Sequence, residues 1–228
     1  MSSMAEFKSA LNEEDAVKAG EILSKAEPDK EGLKSLSSVF MFLSVIFRYP
    51  EDTVYETIDK YSPEFQEFIS EYTDRALVPG KQIDMETEYV KLFINDYGGV
   101  KATPYASVYM GDEQLLWGDD MVRLKNIMAA EGFMRDESVK ELEDHVYLVL
   151  EFFGLVLEKV ADEENSDCRL GSLSTLLSVS RDFFPVFAGP FADKVIAETE
   201  TEFYKTASML LKGFLNDTEN ILEELIFN

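Results

Sequence analysis

The stretch "VYLVLEFFGLVLEKV", residues 146 to 160, constrains the fold more than any other segment. It has helical length, and its only charges are Glu151, Glu158 and Lys159. A helix that is apolar nearly all round cannot lie on a surface; it belongs at the centre of a bundle, enclosed by amphipathic neighbours. Such neighbours are present. "LKSLSSVFMFLSVIF" places Leu33, Leu36, Phe40, Leu43 and Phe47 at steps of three and four, which is one helical face, and Pro50 closes that segment. Ser62-Pro63 reads as the opening of another helix that ends at Pro79-Gly80. From Gln82 to about Asn95, Met85, Tyr89, Leu92 and Phe93 share a face.

Further along, Asp119 reads as the cap of a helix over about 120–131 that Gly132 ends. The capping-box pattern Ser138-Val-Lys-Glu141 predicts that the central helix starts near Val139 and runs to Ala161, placing His145 one turn inside. One more helix is expected over about 170–183. The last long one is expected from Gly189-Pro190, with Tyr204, Ala207, Leu211 and Phe214 on one face. No segment alternates as a strand would, and there is no internal repeat. The expected class is all-α: one compact bundle of about ten helices over residues 1–228, its weakest joints around Ile83 and at 162–168.

Charge and residue inventory exclude several classes of function. The chain has 45 acids and 21 bases, a net charge of −24, so binding to nucleic-acid phosphates or to an anionic membrane is disfavoured. The apolar runs fall short of the ~20 residues of a membrane span, and the start shows no run of signal-peptide length. The single cysteine, Cys168, fits a reducing compartment, and the expected location is cytoplasmic. There is no P-loop motif. One histidine and one cysteine cannot build a His/Cys zinc site or the paired Glu-x-x-His ligands of a di-iron bundle. A catalytic triad would need His145 as base, and nothing places Ser107 beside it. The expectation is a protein that is not an enzyme, with no permanently bound cofactor and no metal.

Three constellations remain. "ETEYVKLF" sets Asp84 and Glu88 as like charges one turn apart, either a solvated edge or an acidic rim for a cation. "PYASVYMGDEQLLWGDD", residues 104 to 120, puts Tyr105, Tyr109 and Trp117 in a long connection that would be short and polar if it were passive. Its aromatics either cover the core or line a groove. "ELEDHVYLVLEFF" holds His145, the only histidine.

Together, "EYVKLF", "TPYASVYMGDEQLLWGDD" and "EDHVYLVLEFF" resemble the motifs of the TorD/DmsD family of redox-enzyme maturation chaperones, related more distantly to NarJ. "LSVIFRYP" and "FFPVF" fit the same pattern more loosely, so the resemblance runs from residue 33 to about 215. It departs at Leu142, where members often carry proline, and at Tyr89, which is tryptophan in some relatives. The resemblance implies an all-helical protein that binds the twin-arginine signal peptide of a molybdenum-containing oxidoreductase. It also implies contact with the mature part, and retention of the client until its cofactor is inserted. Carried across, the peptide site would comprise Glu88, Tyr89, Leu92, Phe93, Pro104, Ser107, Tyr109, Trp117, Asp144 and His145, with Asp119 and Asp120 as further acids for the arginines. Family links to guanine nucleotide and molybdopterin leave transient binding of either open. The alternatives are an acidic helical scaffold binding another partner, or a nucleotide- or molybdopterin-binding protein; the expected state is a monomer or a domain-swapped dimer.

Overall fold

The computed structural model describes residues 3–110, 118–136 and 139–227. Its elements, in order, are α1 (Ser3–Asn12), α2 (Ala16–Leu23), α3 (Lys30–Ile46), α4 (Asp52–Tyr61), α5 (Gln66–Ser70) and α6 (Gln82–Tyr89). A π-helical turn (Val90–Ile94) follows, and then α7 (Ser107–Met110), α8 (Asp119–Ala130), α9 (Val146–Asp162), α10 (Ser166–Asp182), α11 (Phe184–Glu198) and α12 (Glu202–Phe227). No strand occurs among the described residues, so the all-α class holds, with twelve α-helices and a π turn in place of about ten helices.

The apolar helix α9 is central, as its composition requires. It lies against α3, while α11 lies against α12. At the middle of the core Phe40 meets Phe153, Phe184 and Phe214, with ring centroids 4.5, 5.8 and 4.9 Å apart. Toward one end the aromatic packing continues through Phe47, Phe93, Phe191 and Tyr204 and reaches the surface near Tyr89. The start of α3 is tied to the end of α12. The Asp29 backbone N–H donates to the Leu225 carbonyl at 2.8 Å, and the Asp29 carboxylate caps α3 by accepting from the Gly32 N–H at 3.1 Å. A Cβ on residue 32 would stand 2.3 Å from Leu225 Cδ2 and 2.8 Å from Asp29 Oδ2, so both side chains would have to shift to admit one.

Several boundaries differ from the sequence expectation, each for a local reason. Ser62 does not open a helix: its hydroxyl donates to the Ile58 carbonyl at 2.7 Å and closes α4, and α5 begins only at Gln66. Asp119 is not a cap but the first residue of α8; the capping position is Gly118, with no side-chain cap bond, and Asp119 and Asp120 lie in the first turn, where carboxylates favour the helix dipole. Gly189-Pro190 lies inside α11, and the last helix begins at Glu202. The proline removes a bond to the carbonyl of Val186, an exposed residue whose carbonyl water can satisfy. Finally, the central helix starts at Val146, not Val139, with His145 as its cap. Ser138 of the expected capping box lies outside the described residues. Helices α1 and α2 were not anticipated.

Candidate functional site

The start of α9 is joined to the segment before α7 by two backbone hydrogen bonds. The Val146 N–H donates to the Pro104 carbonyl at 2.8 Å, and the Ala106 N–H donates to the Asp144 carbonyl at 2.9 Å. They set Tyr105 and His145 side by side as an isolated antiparallel bridge, with ring centroids 5.1 Å apart and nearly perpendicular. Asp144 is 1 % exposed, and its Oδ2 accepts from both the backbone N–H (3.0 Å) and the hydroxyl (2.5 Å) of Ser107. The carboxylate thus caps α7 from another part of the chain. Its Oδ1 has no hydrogen-bond partner among the described residues. Burial raises the Asp144 carboxyl above its ordinary pKa, and the two Ser107 bonds act against that rise.

His145 is 2 % exposed, and its Nδ1 accepts from the Tyr147 N–H at 3.3 Å. Burial holds the imidazole down at about 3, so the ring is neutral at pH 7 with its proton on Nε2. The Asp-His pair is therefore a latch: one residue fixes the Tyr105–Ser107 segment, and the other starts the central helix. Direct pairing of the two side chains plays no part.

In front of this latch is an open cleft of about 380 Å³. Tyr49, Tyr89, Tyr105 and Tyr147 line it, with Phe93, Pro104 and His145. Tyr49 and Tyr89 stand edge to face at 5.5 Å, and the Tyr89 hydroxyl donates to the Phe47 carbonyl at 3.3 Å. The π turn, closed by the Asn95 N–H on the Val90 carbonyl at 2.8 Å, forms the wall behind Phe93. Burial, with Glu141 adding to it, pushes the Tyr147 phenol up to about 12, and burial raises Tyr89 and Tyr105 as well, so all three stay protonated. Three charged residues reach the cleft: Arg48, Glu51 and Glu141. Arg48 is engaged, bonding Glu151 at 2.7 Å and lying 4.9 Å from the Tyr147 ring centroid. Glu51 and Glu141 form no ion pair among the described residues. The cleft thus offers aromatic faces and two uncompensated carboxylates, a combination suited to a guanidinium or ammonium group.

The expected site residues divide into groups. Tyr89, Phe93, Pro104 and His145 line the cleft, as does Tyr105. Leu92, Ser107 and Asp144 are buried behind it and support it. Tyr109 packs on Phe191 at 6.0 Å and covers core, its phenol pushed by burial to about 12. Glu88 is not a rim for a cation. It points inward and accepts from the Thr199 hydroxyl at 2.6 Å and the Glu200 N–H at 2.7 Å, holding the turn between α11 and α12. Asp119 and Asp120 begin α8, and neither lines the cleft. Trp117 lies outside the described residues. The acids that do face the cleft, Glu51 and Glu141, were missed, as were Tyr49 and Tyr147. "RYPE" after the end of α3 carried a signal, because an aromatic and an acid flank a helix-ending proline. Among the described residues no group of three or more His, Cys, Asp or Glu side chains is arranged to hold a metal.

Comparison with known proteins agrees with this architecture. The family model described as nitrate reductase delta subunit matches residues 51–197. The chaperone protein TorD of Vibrio cholerae is 27% identical over 149 residues, covering 64% of this chain and 65% of that protein. TorD of Vibrio atlanticus is 30% identical over 149 residues, 63% of this chain and 66% of that protein. The chain thus spans just under two thirds of the length of the curated relatives it matches. A crystal structure of a redox enzyme maturation protein from Archaeoglobus fulgidus superposes with a TM-score of 0.53 at 22% identity, over 78% of this chain and 93% of that one, a likeness of fold. With that match over residues 51–197, the chain belongs to the nitrate reductase delta subunit family, the group of TorD- and NarJ-like proteins that its motifs resemble.

Proposed function

We propose that this protein is a non-catalytic, system-specific chaperone of redox-enzyme maturation, whose cleft takes the arginines of a twin-arginine signal peptide on a molybdenum-containing oxidoreductase subunit. Holding that peptide in the cytoplasm keeps the client back from export until its cofactor is in place. The observation that carries this reading is the cleft, with its four tyrosine rings and the unpaired carboxylates of Glu51 and Glu141. A guanidinium stacks on aromatic faces and takes a carboxylate in a forked pair, so two adjacent arginines match what the cleft presents. The acidic excess of the chain, −24, draws a basic peptide in and makes capture sensitive to salt. Membership of the family and the names of the relatives support a chaperone role. Among the described residues no helix is long and apolar enough to cross a membrane, which is consistent with a protein that meets its client before export.

The test is calorimetric titration with a synthetic peptide carrying two adjacent arginines before an apolar segment. Binding that disappears when both arginines become alanine, and weakens as salt rises, is the expected result. Equal binding of the arginine and alanine peptides would remove the role assigned to the cleft.

A further inference from the structure

Arg48 stands in the cleft as the chain's own guanidinium, and its bonding there is incomplete. Nη2 donates to Glu151 Oε1 at 2.7 Å, one bond where a guanidinium and a carboxylate can form a fork of two. The Nε–H is buried and finds no acceptor among the described residues. The guanidinium carbon lies 4.9 Å from the Tyr147 ring centroid. Tyr147 and Glu151 are one turn apart on α9, so ring and carboxylate share a helical face. The side chains of the ion pair are 35 % exposed for Arg48 and 22 % for Glu151, so water competes for both.

The tether explains the incomplete fit. Arg48 follows the last turn of α3, where its backbone N–H donates to the Val45 carbonyl at 3.2 Å. Its side chain must reach α9 from that fixed point, and it reaches one carboxylate oxygen and the ring. Beyond the burial that dominates, Glu141 and Glu151 both raise the Tyr147 phenol. The ring thus has two carboxylates near it, one without an ion pair among the described residues and one held by Arg48. An untethered guanidinium could lie on the same ring and take both oxygens of Glu151. A partly exposed ion pair is weak, so Arg48 moves into solvent at small cost.

We infer that Tyr147 and Glu151 form a guanidinium subsite that Arg48 occupies in the free protein and vacates to one arginine of the bound peptide. Arg48 is thus an internal competitor. One arginine of the pair meets Glu51 and Glu141 unopposed; the other exchanges with Arg48. This division of the cleft rests on its proposed role as the arginine site. It makes Arg48 the residue that sets affinity, because the cost of moving it is subtracted from every binding event.

Two readouts, one with peptide and one without, test the exchange. The arginine-pair peptide is titrated into the full-length wild type, Arg48→Ala, Arg48→Met and the double variant Arg48→Ala with Glu151→Gln, with thermal melts to confirm folding. Arg48→Met keeps most of the apolar stem should alanine prove too disruptive. Both single variants are expected to bind about five- to tenfold more tightly than wild type, the size of one exposed ion pair with a stacked ring, and the added Glu151→Gln to return affinity to within about twofold of wild type. Separately, propylguanidinium at millimolar concentration is expected to raise the melting temperature of Arg48→Ala, but not of wild type or the double variant, relative to propylammonium at equal ionic strength. Weaker peptide binding by the Arg48 variants would make Arg48 a contact of the peptide and overturn the exchange. Tightening that survives Glu151→Gln would reduce Arg48 to a repelling charge and overturn it equally. Absence of the propylguanidinium shift overturns the subsite whatever the peptide does. Absence of peptide binding to every form, with the propylguanidinium shift present, removes the peptide role of the cleft and the exchange with it, and leaves the guanidinium subsite standing.

Discussion

Replacement of Asp144 by alanine tests whether the Asp-His pair is a latch or a contact surface. The side chain accepts two hydrogen bonds from Ser107 in a nearly water-free setting. A hydrogen bond to a charged group contributes about 1.5–3 kcal/mol, and a buried N–H left unpaired costs about 1–3 kcal/mol. Relief of the buried charge, which the unpartnered Oδ1 makes unfavourable, offsets part of that loss. A net destabilisation of about 3 kcal/mol follows. For a chain of 228 residues, where ~1 kcal/mol moves Tm by about 2–4 °C, the melt should fall by about 6–12 °C. Ser107→Ala removes only the hydroxyl donor and should cost about half as much. A double-mutant cycle between the two should show coupling above 1 kcal/mol, as roughly expected for direct partners. Peptide affinity should fall in proportion to the stability loss, because Tyr105 and His145 are held by the same bonds. The measurements are calorimetric melts and peptide titrations on the same samples. An Asp144→Ala protein that melts within a degree of wild type yet no longer binds peptide would refute the latch and make Asp144 a direct contact.

Other perturbations have equally definite expectations. Glu51→Gln with Glu141→Gln should weaken an arginine-pair peptide by about tenfold, or ~1.4 kcal/mol, and reduce the salt dependence of binding, the remaining acidic excess of the chain retaining part of it, while leaving Tm unchanged; titrations at two salt concentrations check this. Gly32→Ala should destabilise by about 1–3 kcal/mol in denaturant melts despite the gain in helix propensity, because the new Cβ strikes Leu225 and the Asp29 cap. His145 is neutral when folded, with a pKa near 3 against an ordinary 6.5, so the unfolded chain binds more protons between those values. The stability it contributes is complete above pH 6.5 and is lost as pH falls toward 3. Asp144, whose carboxyl is raised, acts in the opposite sense and favours the folded state as acid is added. The stability difference between wild type and His145→Gln should therefore shrink steadily as pH is lowered from 7 to 4; a difference independent of pH in urea melts would show that His145 titrates normally.

The sequence revealed the bundle because the evidence for it is local and periodic. The apolar surface of α9 and the three-four spacing in α3 leave no other class of fold. Boundaries that depend on partners elsewhere in the chain were hidden. The start of α9 is set by the Pro104 carbonyl and by His145 acting as cap, neither of which a capping-box pattern reports. The motif residues come together at one end of the bundle, but the contacts each of them makes there were not legible in their spacing. "EDH" and "SVY" meet in the structure, where Asp144 and Ser107 are consumed in holding each other. Glu88, an exposed acid by its spacing, turns inward because the α11–α12 turn presents donors to it. Glu51 and Glu141 become the acids of the cleft only once α3, α4 and the start of α9 converge, a juxtaposition that no spacing within one segment records.

The most direct test of the cleft is photo-crosslinking. A twin-arginine peptide carries a photoreactive side chain beside the arginine pair, and the links are mapped by mass spectrometry. The account predicts crosslinks to Tyr49, Tyr105 or Tyr147, lost when both arginines of the peptide are alanine. Crosslinks gathered instead on α8, around Asp119 and Val122, with none in the cleft, would contradict it.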